Sequence, residues 1–268
     1  MRVTGAIAIN VFRESVRDKV LYNLVLFAML MMASSYLIGQ LTAGQDVKII
    51  KDLGLSATAI FGLFIAVFIG IGLVSKEVER RSIYSLLAKP IARYQLVLGK
   101  YCGLTLTLAV NIAVMALALY AVLAYMVWGL PPEARLVPEA PPLDPALMKA
   151  VLLIFVELML VTAIAVFFST FSSPMLSAAL TFGLYVAGHF SGDLRNFQQV
   201  VDSPAAARLA RGLYWVLPNL AQFDIKSDVV HGVYVPIGYM AMTGAYAAVY
   251  IAMLLTISML VFSRRDFK

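Results

Sequence analysis

Five stretches of this chain are long, apolar and almost free of charge, and they decide what it can fold into. Val20–Gln45, Leu53–Ser75, Tyr101–Pro132 and Val229–Ser263 hold no Asp, Glu, Lys or Arg, and Ala150–Gly192 holds only Glu157. A bilayer's hydrocarbon core, about 30 Å thick, takes about 20 helical residues to cross. Inside it every backbone N–H and C=O must be paired within the protein, which favours helices over open strands. Only 13% of the residues are charged and the mean hydropathy is +0.87, whereas a soluble domain usually carries about 25% charge. The sequence therefore predicts an all-α membrane protein with one transmembrane domain, residues 1–268, and six transmembrane helices at about 20–41, 54–75, 101–128, 149–171, 175–190 and 236–262.

The segments between these spans carry their own signals. Residues 5–19 alternate Ile7, Val11 and Phe12 with Arg13, Glu14, Arg17 and Asp18 at helical spacing. This predicts an amphipathic helix in the headgroup region before a retained first span. Residues 42–53 read as a short polar loop, and six prolines between Pro131 and Pro145 make 129–148 an extended one. Ser172-Ser173-Pro174 marks a tight turn. In the long segment 191–235, Ser203-Pro204 is a helix start, Leu209, Leu213 and Val216 share a face, and Pro218 is a stop. Short external helices between spans 5 and 6 are expected there.

Positive charge orients the chain. Residues 1–19, 76–100 and 263–268 hold thirteen of the 21 Lys and Arg in short segments. The positive-inside rule then puts both termini and the 76–100 loop in the cytoplasm, as for a multi-pass protein of the cell (inner) membrane. It also accounts for the net charge of +6 without a nucleic-acid partner.

Motifs for catalysis are missing. Gly99-Lys100 is followed by Tyr101, and Tyr94 stands where a phosphate loop needs its first glycine, so this chain should bind no ATP itself. The single cysteine, Cys102, and two distant histidines, His189 and His231, suggest no metal site. Gly188-His189-Phe190-Ser191-Gly192 lacks the elbow and partners of a serine hydrolase and reads as a polar span end. Met29, Met31 and Met32 do not share one helix face and read as packing. Glu157 stands out, because a carboxylate within a span is costly and usually faces a bundle interior or a water cavity. It either pairs locally or lies on a translocation path, with Asn111 of span 3 as a candidate partner.

The most charged segment between two spans is Lys76–Lys100. Glu77 and Glu79 precede an apolar stripe of Ile83, Leu86 and Leu87 at i, i+3 and i+4, and Lys89-Pro90 ends it. This predicts a short cytoplasmic helix with one apolar face, which lipid headgroups or a protein partner could cover.

Here the chain resembles permease subunits of ABC-2-type transporters. The likeness rests on Glu77, Glu79, Arg81, Ser82, Ile83, Leu86, Leu87, Ala88, Lys89, Pro90, Ile91 and Arg93 in the loop. Phe12-Arg13-Glu14-Ser15 to Leu21, Phe168 to Pro174, and Leu217-Pro218-Asn219-Leu220 extend it over nearly the whole chain. Arg81-Ser82 stands where a Gly-Thr pair is common in the family. Within the family the chain looks most like the branch that includes the permease of the nitrous-oxide-reductase maturation transporter.

The resemblance implies a homodimer or related pair of permeases served by two copies of a cytoplasmic ABC ATPase, which would hold ATP and Mg. The loop helix, through Glu77, Glu79, Ile83, Leu86, Leu87, Lys89 and Pro90, would be a coupling helix that docks on that ATPase. The chain would move a cargo across the membrane, as an exporter, and be no enzyme itself. The competing class is a non-transporting membrane anchor that recruits a cytoplasmic protein through loop 76–100.

The orientation is testable in intact cells with a membrane-impermeant thiol reagent. Asp46→Cys, Glu139→Cys and Asp202→Cys should react from outside. Reaction of Glu79→Cys under the same conditions would overturn the topology.

Overall fold

The computed structural model describes residues 2–40, 46–79, 93–129, 143–192, 212 and 217–264. Among them are eight α-helices and no strand: α1 (Arg2–Ser15), α2 (Lys19–Gln40), α3 (Asp46–Glu79), α4 (Arg93–Gly129), α5 (Ala146–Ser169), α6 (Pro174–His189), α7 (Lys226–Val230) and α8 (Ile237–Arg264). A single 3-10 turn, Ala221–Phe223, precedes α7. The polar side chains of the apolar helices are largely satisfied on their own backbone, as a lipid setting demands. Thr58 donates to Gly54 O, Thr107 to Gly103 O and Thr162 to Leu158 O, at 2.8, 3.0 and 2.8 Å.

Five of these helices are long and apolar enough to cross a membrane: Leu21–Gly39, Val47–Ile71, Tyr94–Trp128, Ala146–Ser169 and Ile237–Phe262. The span expected at 175–190 is the exception. It forms α6, but at 16 residues it rises only about 24 Å, short of a full crossing. Ser173 takes an extended conformation at its N-cap and Pro174 holds the first helical position, which needs no backbone donor.

Two boundaries move outward. The loop expected at 42–53 is helical from Asp46, so Lys48, Lys51 and Asp52 belong to α3. Charge argued for a loop, but the Lys51 side chain is fully buried, with the Asp144 carboxylate acting on it electrostatically. Protein around this end of α3 replaces the water that Lys51 would otherwise need, while Lys48 and Asp52 stay exposed. At the other end, Lys76–Glu79 continue α3 and Arg93–Lys100 begin α4. With 34 and 37 residues, the two helices measure roughly 51 and 55 Å. Both overshoot the hydrocarbon core, and the segment 80–92 joins their ends. The expected N-terminal helix is present but stops at Ser15. A turn follows, with Asp18 N donating to Ser15 O at 3.0 Å.

α3 and α5 form the buried centre, while α2 and α8 expose most of their surface. Tyr22, Phe27, Leu30 and Leu37 on α2, and Met242, Val249 and Leu260 on α8, face outward. In water such faces would be an aggregation hazard; in a bilayer lipid covers them.

α1 packs on the first turns of α4. Gly99 and Gly103, four residues apart, make the seat. A Cβ on Gly99 would lie 2.8 Å from the Ile7 side chain, and one on Gly103 2.6 Å from the Ala8 carbonyl oxygen and 2.7 Å from Val11. The Ala8 carbonyl is helix backbone and cannot give way without moving α1. Gly103→Ala should therefore destabilise the protein by about 1–3 kcal/mol through overpacking. Gly183→Ala, with nothing within 4 Å of the new atom, should be neutral or stabilising. Thermal unfolding in detergent compares the two.

Candidate functional site

Glu157 is the twelfth of the 24 residues of α5 and is 2% exposed. It lies deeper than a start at residue 149 would place it, because α5 begins at Ala146. Its partner is His189, the last residue of α6, whose Nε2 is 3.3 Å from Glu157 Oε1. The contact is long, and Oε1 makes no hydrogen bond of good geometry. His189 is also held by its own helix. Its Nδ1 is 3.1 Å from the Tyr185 carbonyl oxygen, and its ring lies 4.5 Å from the Tyr185 ring. The Tyr185 hydroxyl reaches the same carboxyl group. α6 thus ends against the middle of α5, with Tyr185 and His189, one turn apart, both turned to Glu157.

Residues 217–235 cover this end of α6 and are termed the cap. Leu220, Phe223, Ile225, Val229 and Val230 are almost wholly buried, and α7 packs on both α3 and α5. Leu220 N donates to Gly188 O at 3.0 Å. Gly188 permits this approach, since a Cβ there would lie 2.8 Å from the Leu220 side chain and from Pro218 O. Further bonds tie the cap to the spans. Asn219 N donates to the Tyr246 hydroxyl at 2.8 Å, Tyr239 OH to Gln222 O at 2.7 Å and Lys149 Nζ to Val235 O at 2.8 Å. Lys149 also sits over the Tyr234 ring, 4.9 Å from its centre. Lys226 and Asp224 pair at 3.3 Å, and both act electrostatically on Glu157. Ser191 Oγ, Asn219 Oδ1 and Gln222 Nε2 are buried without a hydrogen-bond partner. This end of the bundle is therefore polar inside.

Asn111 does not join this group. Its Nδ2 donates to Thr107 O at 2.8 Å on its own helix, so the polar partner of Glu157 comes from α6 and not from α4. An open apolar groove of about 520 Å³ runs between α4, α5 and α8, lined by Leu98, Tyr101, Val156, Met159, Gly244 and Ala248 among others. Glu157 does not line it; its carboxyl faces the other side of α5. Among the described residues no group of three or more His, Cys, Asp or Glu could hold a metal ion.

Of the loop residues singled out in the sequence, Glu77 and Glu79 fall in the last turn of α3. Ile83, Leu86, Leu87, Lys89 and Pro90 lie outside the described residues, as do Ser203-Pro204, Leu209 and Val216 of the external segment. His189 escaped the sequence reading as a partner for Glu157, although a signal was there. Reflecting Glu157 through the Thr170–Ser173 turn of an antiparallel helix pair lands near residue 186, between Tyr185 and His189. Lys226 and Asp224 had no comparable signal, since a loop follows no helical register.

The pair can be tested by unfolding measurements. His189→Leu leaves the buried carboxyl without its ring partner and should cost about 1–3 kcal/mol. Glu157→Leu combined with His189→Leu should cost less than the two single changes together, with a coupling of about 0.5–3 kcal/mol. Strict additivity would show that the two side chains do not interact.

The helical membrane architecture agrees with a comparison of the sequence against known families. Residues 5–267 match the model of the ABC-2 family transporter proteins. No curated protein matches the chain. With all but its first four residues and its last one matched, and with five helices among the described residues long and apolar enough to cross a membrane, the chain belongs to the ABC-2 transporter family.

Proposed function

We propose that this chain is the transmembrane permease subunit of an ABC transporter, driven by a separate cytoplasmic ATPase and acting as an exporter. The observation that carries this reading is the family match over residues 5–267. The extension of α3 and α4 past the membrane toward the 80–92 segment accords with it. Two permeases would work with two ATPase copies, which hold ATP and Mg. Both termini would be cytoplasmic, in the inner membrane. α6 would complete the six helices as a short one, closed externally by the cap. Within the family, the loop residues favour the branch of the nitrous-oxide-reductase maturation permease.

The mechanism follows from what is stiff. In this reading Ile83, Leu86 and Leu87, flanked by Glu77, Glu79, Lys89 and Pro90, form an apolar helix face that fits a groove on the ATPase. Closure of the ATPase would push on the joined ends of two long helices. α4 is splinted by α1, and α3 packs on α5 and α7, so a displacement at the loop would be carried to α5 and to the cap. Packed helices respond to such a load by moving between two discrete arrangements rather than by bending continuously. Glu157, buried where α5, α6 and the cap meet, would face the changing side of that rearrangement, toward the path of the cargo.

The test is Leu86→Asp combined with Leu87→Asp. Charge in the apolar contact should abolish co-purification of the ATPase and ATP-driven transport while the melting temperature of the membrane domain stays unchanged. An intact complex and normal transport would overturn the docking role. ATPase binding with no nucleotide-dependent change in the membrane helices would identify a membrane anchor instead.

A further inference from the structure

The two ring nitrogens of His189 meet different neighbours. Nδ1 faces the Tyr185 carbonyl oxygen at 3.1 Å. A carbonyl oxygen only accepts, so Nδ1 carries a hydrogen. A neutral imidazole has one hydrogen, which leaves Nε2 with a lone pair. Nε2 faces Glu157 Oε1 at 3.3 Å, and an ionised carboxylate offers only lone pairs. Two acceptors held at that distance in a buried site repel each other. The contact becomes attractive when one proton stands between them. On Nε2 it gives an imidazolium–carboxylate pair, and on Oε1 it gives a neutral O–H···N contact. The proton count is the same in both.

We propose that Glu157 and His189 form a one-proton binding site that latches the cap against α5, and that losing the proton releases the latch. The proton comes from and returns to water at the exposed edge of His189, whose side chain is 24% exposed against 3% for Glu157. No other bond is made or broken. The remaining charged and titratable groups acting on Glu157 are Tyr185 from α6, and Asp224 and Lys226 from the cap. Asp224 and Lys226 pair with each other at 3.3 Å. Lys51, the buried charge of α3, is set against Asp144 instead.

The coupling to the cap is direct. Gly188, the residue before His189, accepts the Leu220 N–H and lies under the Leu220 side chain. Fixing His189 to α5 therefore fixes the platform on which the cap is docked. Repulsion between Nε2 and Oε1 pushes that platform away from α5. The buried Val229 and Val230 of α7, which is the part of the cap that packs on α3 and α5, are then exposed.

The inference is independent of the docking of an ATPase, because neither test below uses nucleotide or transport. Both use the full chain in lipid nanodiscs. The chain has two histidines, and His231 is exposed. His231→Gln therefore leaves one ring to follow by nitrogen-15 NMR, which should show the hydrogen on Nδ1 at every pH and a proton gained at Nε2 or shared with the carboxyl as the pH falls. For the cap, Val229→Cys in a Cys102→Ser background is labelled with a water-soluble maleimide from acidic to alkaline pH. The comparison is Glu157→Gln in the same background at each pH, which cancels the change in thiolate fraction. A Gln amide N–H donates to the Nε2 lone pair with no extra proton, so that variant should keep its cap docked throughout. The ratio of labelling rates, Glu157 over Glu157→Gln, should rise several-fold with pH. Glu157→Leu, which offers Nε2 neither charge nor donor, should label fast at all pH values. A ratio flat across the range, or an NMR signal placing the neutral ring's hydrogen on Nε2, would overturn the proposal. Should Glu157→Gln fail to fold, the NMR arm on the unsubstituted carboxyl decides alone.

Discussion

The close contact of α3 with α5 is the constraint on which the remaining helices depend. Lipid tails are as apolar as leucine, so burial from water does not hold these two helices together; tight packing does. Gly54, Gly62 and Gly70 on α3 provide the room. A Cβ on Gly70 would lie 2.6 Å from Ala165 Cβ, one on Gly62 2.4 Å from Leu158, and one on Gly54 2.3 Å from Leu119. Their spacing of eight residues turns the small-residue face by roughly 80° per step. The face accordingly passes from α4 near the start of α3 to α5 toward its end. One helix is wedged against two neighbours, and α2, α6, α7 and α8 fill in around that wedge.

This centre sets where polarity is tolerated. Over most of their length α3, α4 and α5 show each other apolar or self-bonded side chains, with the Tyr101 hydroxyl crossing from α4 to Met159 O of α5 at 3.2 Å. Beside Glu157 α6 stops short, and the cap packs on its end. The cap brings carbonyls and amides into the bundle and sets the Lys226–Asp224 pair at its edge. Non-helical backbone at membrane depth survives only when protein or water covers it, and here the spans cover it through Tyr246, Tyr239 and Lys149. The shortness of α6 and the polarity around Glu157 are one feature seen from two sides.

Much of this architecture was legible in the sequence, for physical reasons that also mark the limit. The apolar runs gave the crossing helices, since hydropathy over about 20 residues reflects a cost that context hardly changes. Ser173-Pro174 gave the tight turn, because proline at a helix start is a local matter. Lys51 misled, because a buried lysine is made tolerable by groups brought from elsewhere in the chain. The bounds of α6, expected at 175–190 and found at Pro174–His189, were legible because Pro174 fixes the start locally; its docking against the cap was not, because Leu220 returns to Gly188 from some thirty residues downstream. Glu157 announced itself as a costly residue. Its true neighbour needed the helix pair to be folded on paper, and Asn111 was the wrong guess because it had an acceptor on its own helix. Of the residues from which ATPase docking was read, Glu77 and Glu79 end α3, and Ile83, Leu86, Leu87, Lys89 and Pro90 fall outside the described residues, so that reading rests on the sequence and on the family.

The seat of α1 has a consequence for how the protein is made. Its partner glycines, Gly99 and Gly103, come some ninety residues after it. When the ribosome has released α1, the helix that will receive it does not yet exist. Two further helices, α2 and α3, must be threaded first. During that interval α1 has only the membrane surface to shelter Ile7 and Val11, which is the service its amphipathic pattern provides. The same stripe of side chains is therefore used twice, first against lipid headgroups and then against two glycines. This long-range contact cannot close until α4 has been made. α1 therefore waits for α4, while α5 to α8 follow later still, and a chain halted before Gly103 would leave Ile7 and Val11 without their partner glycines.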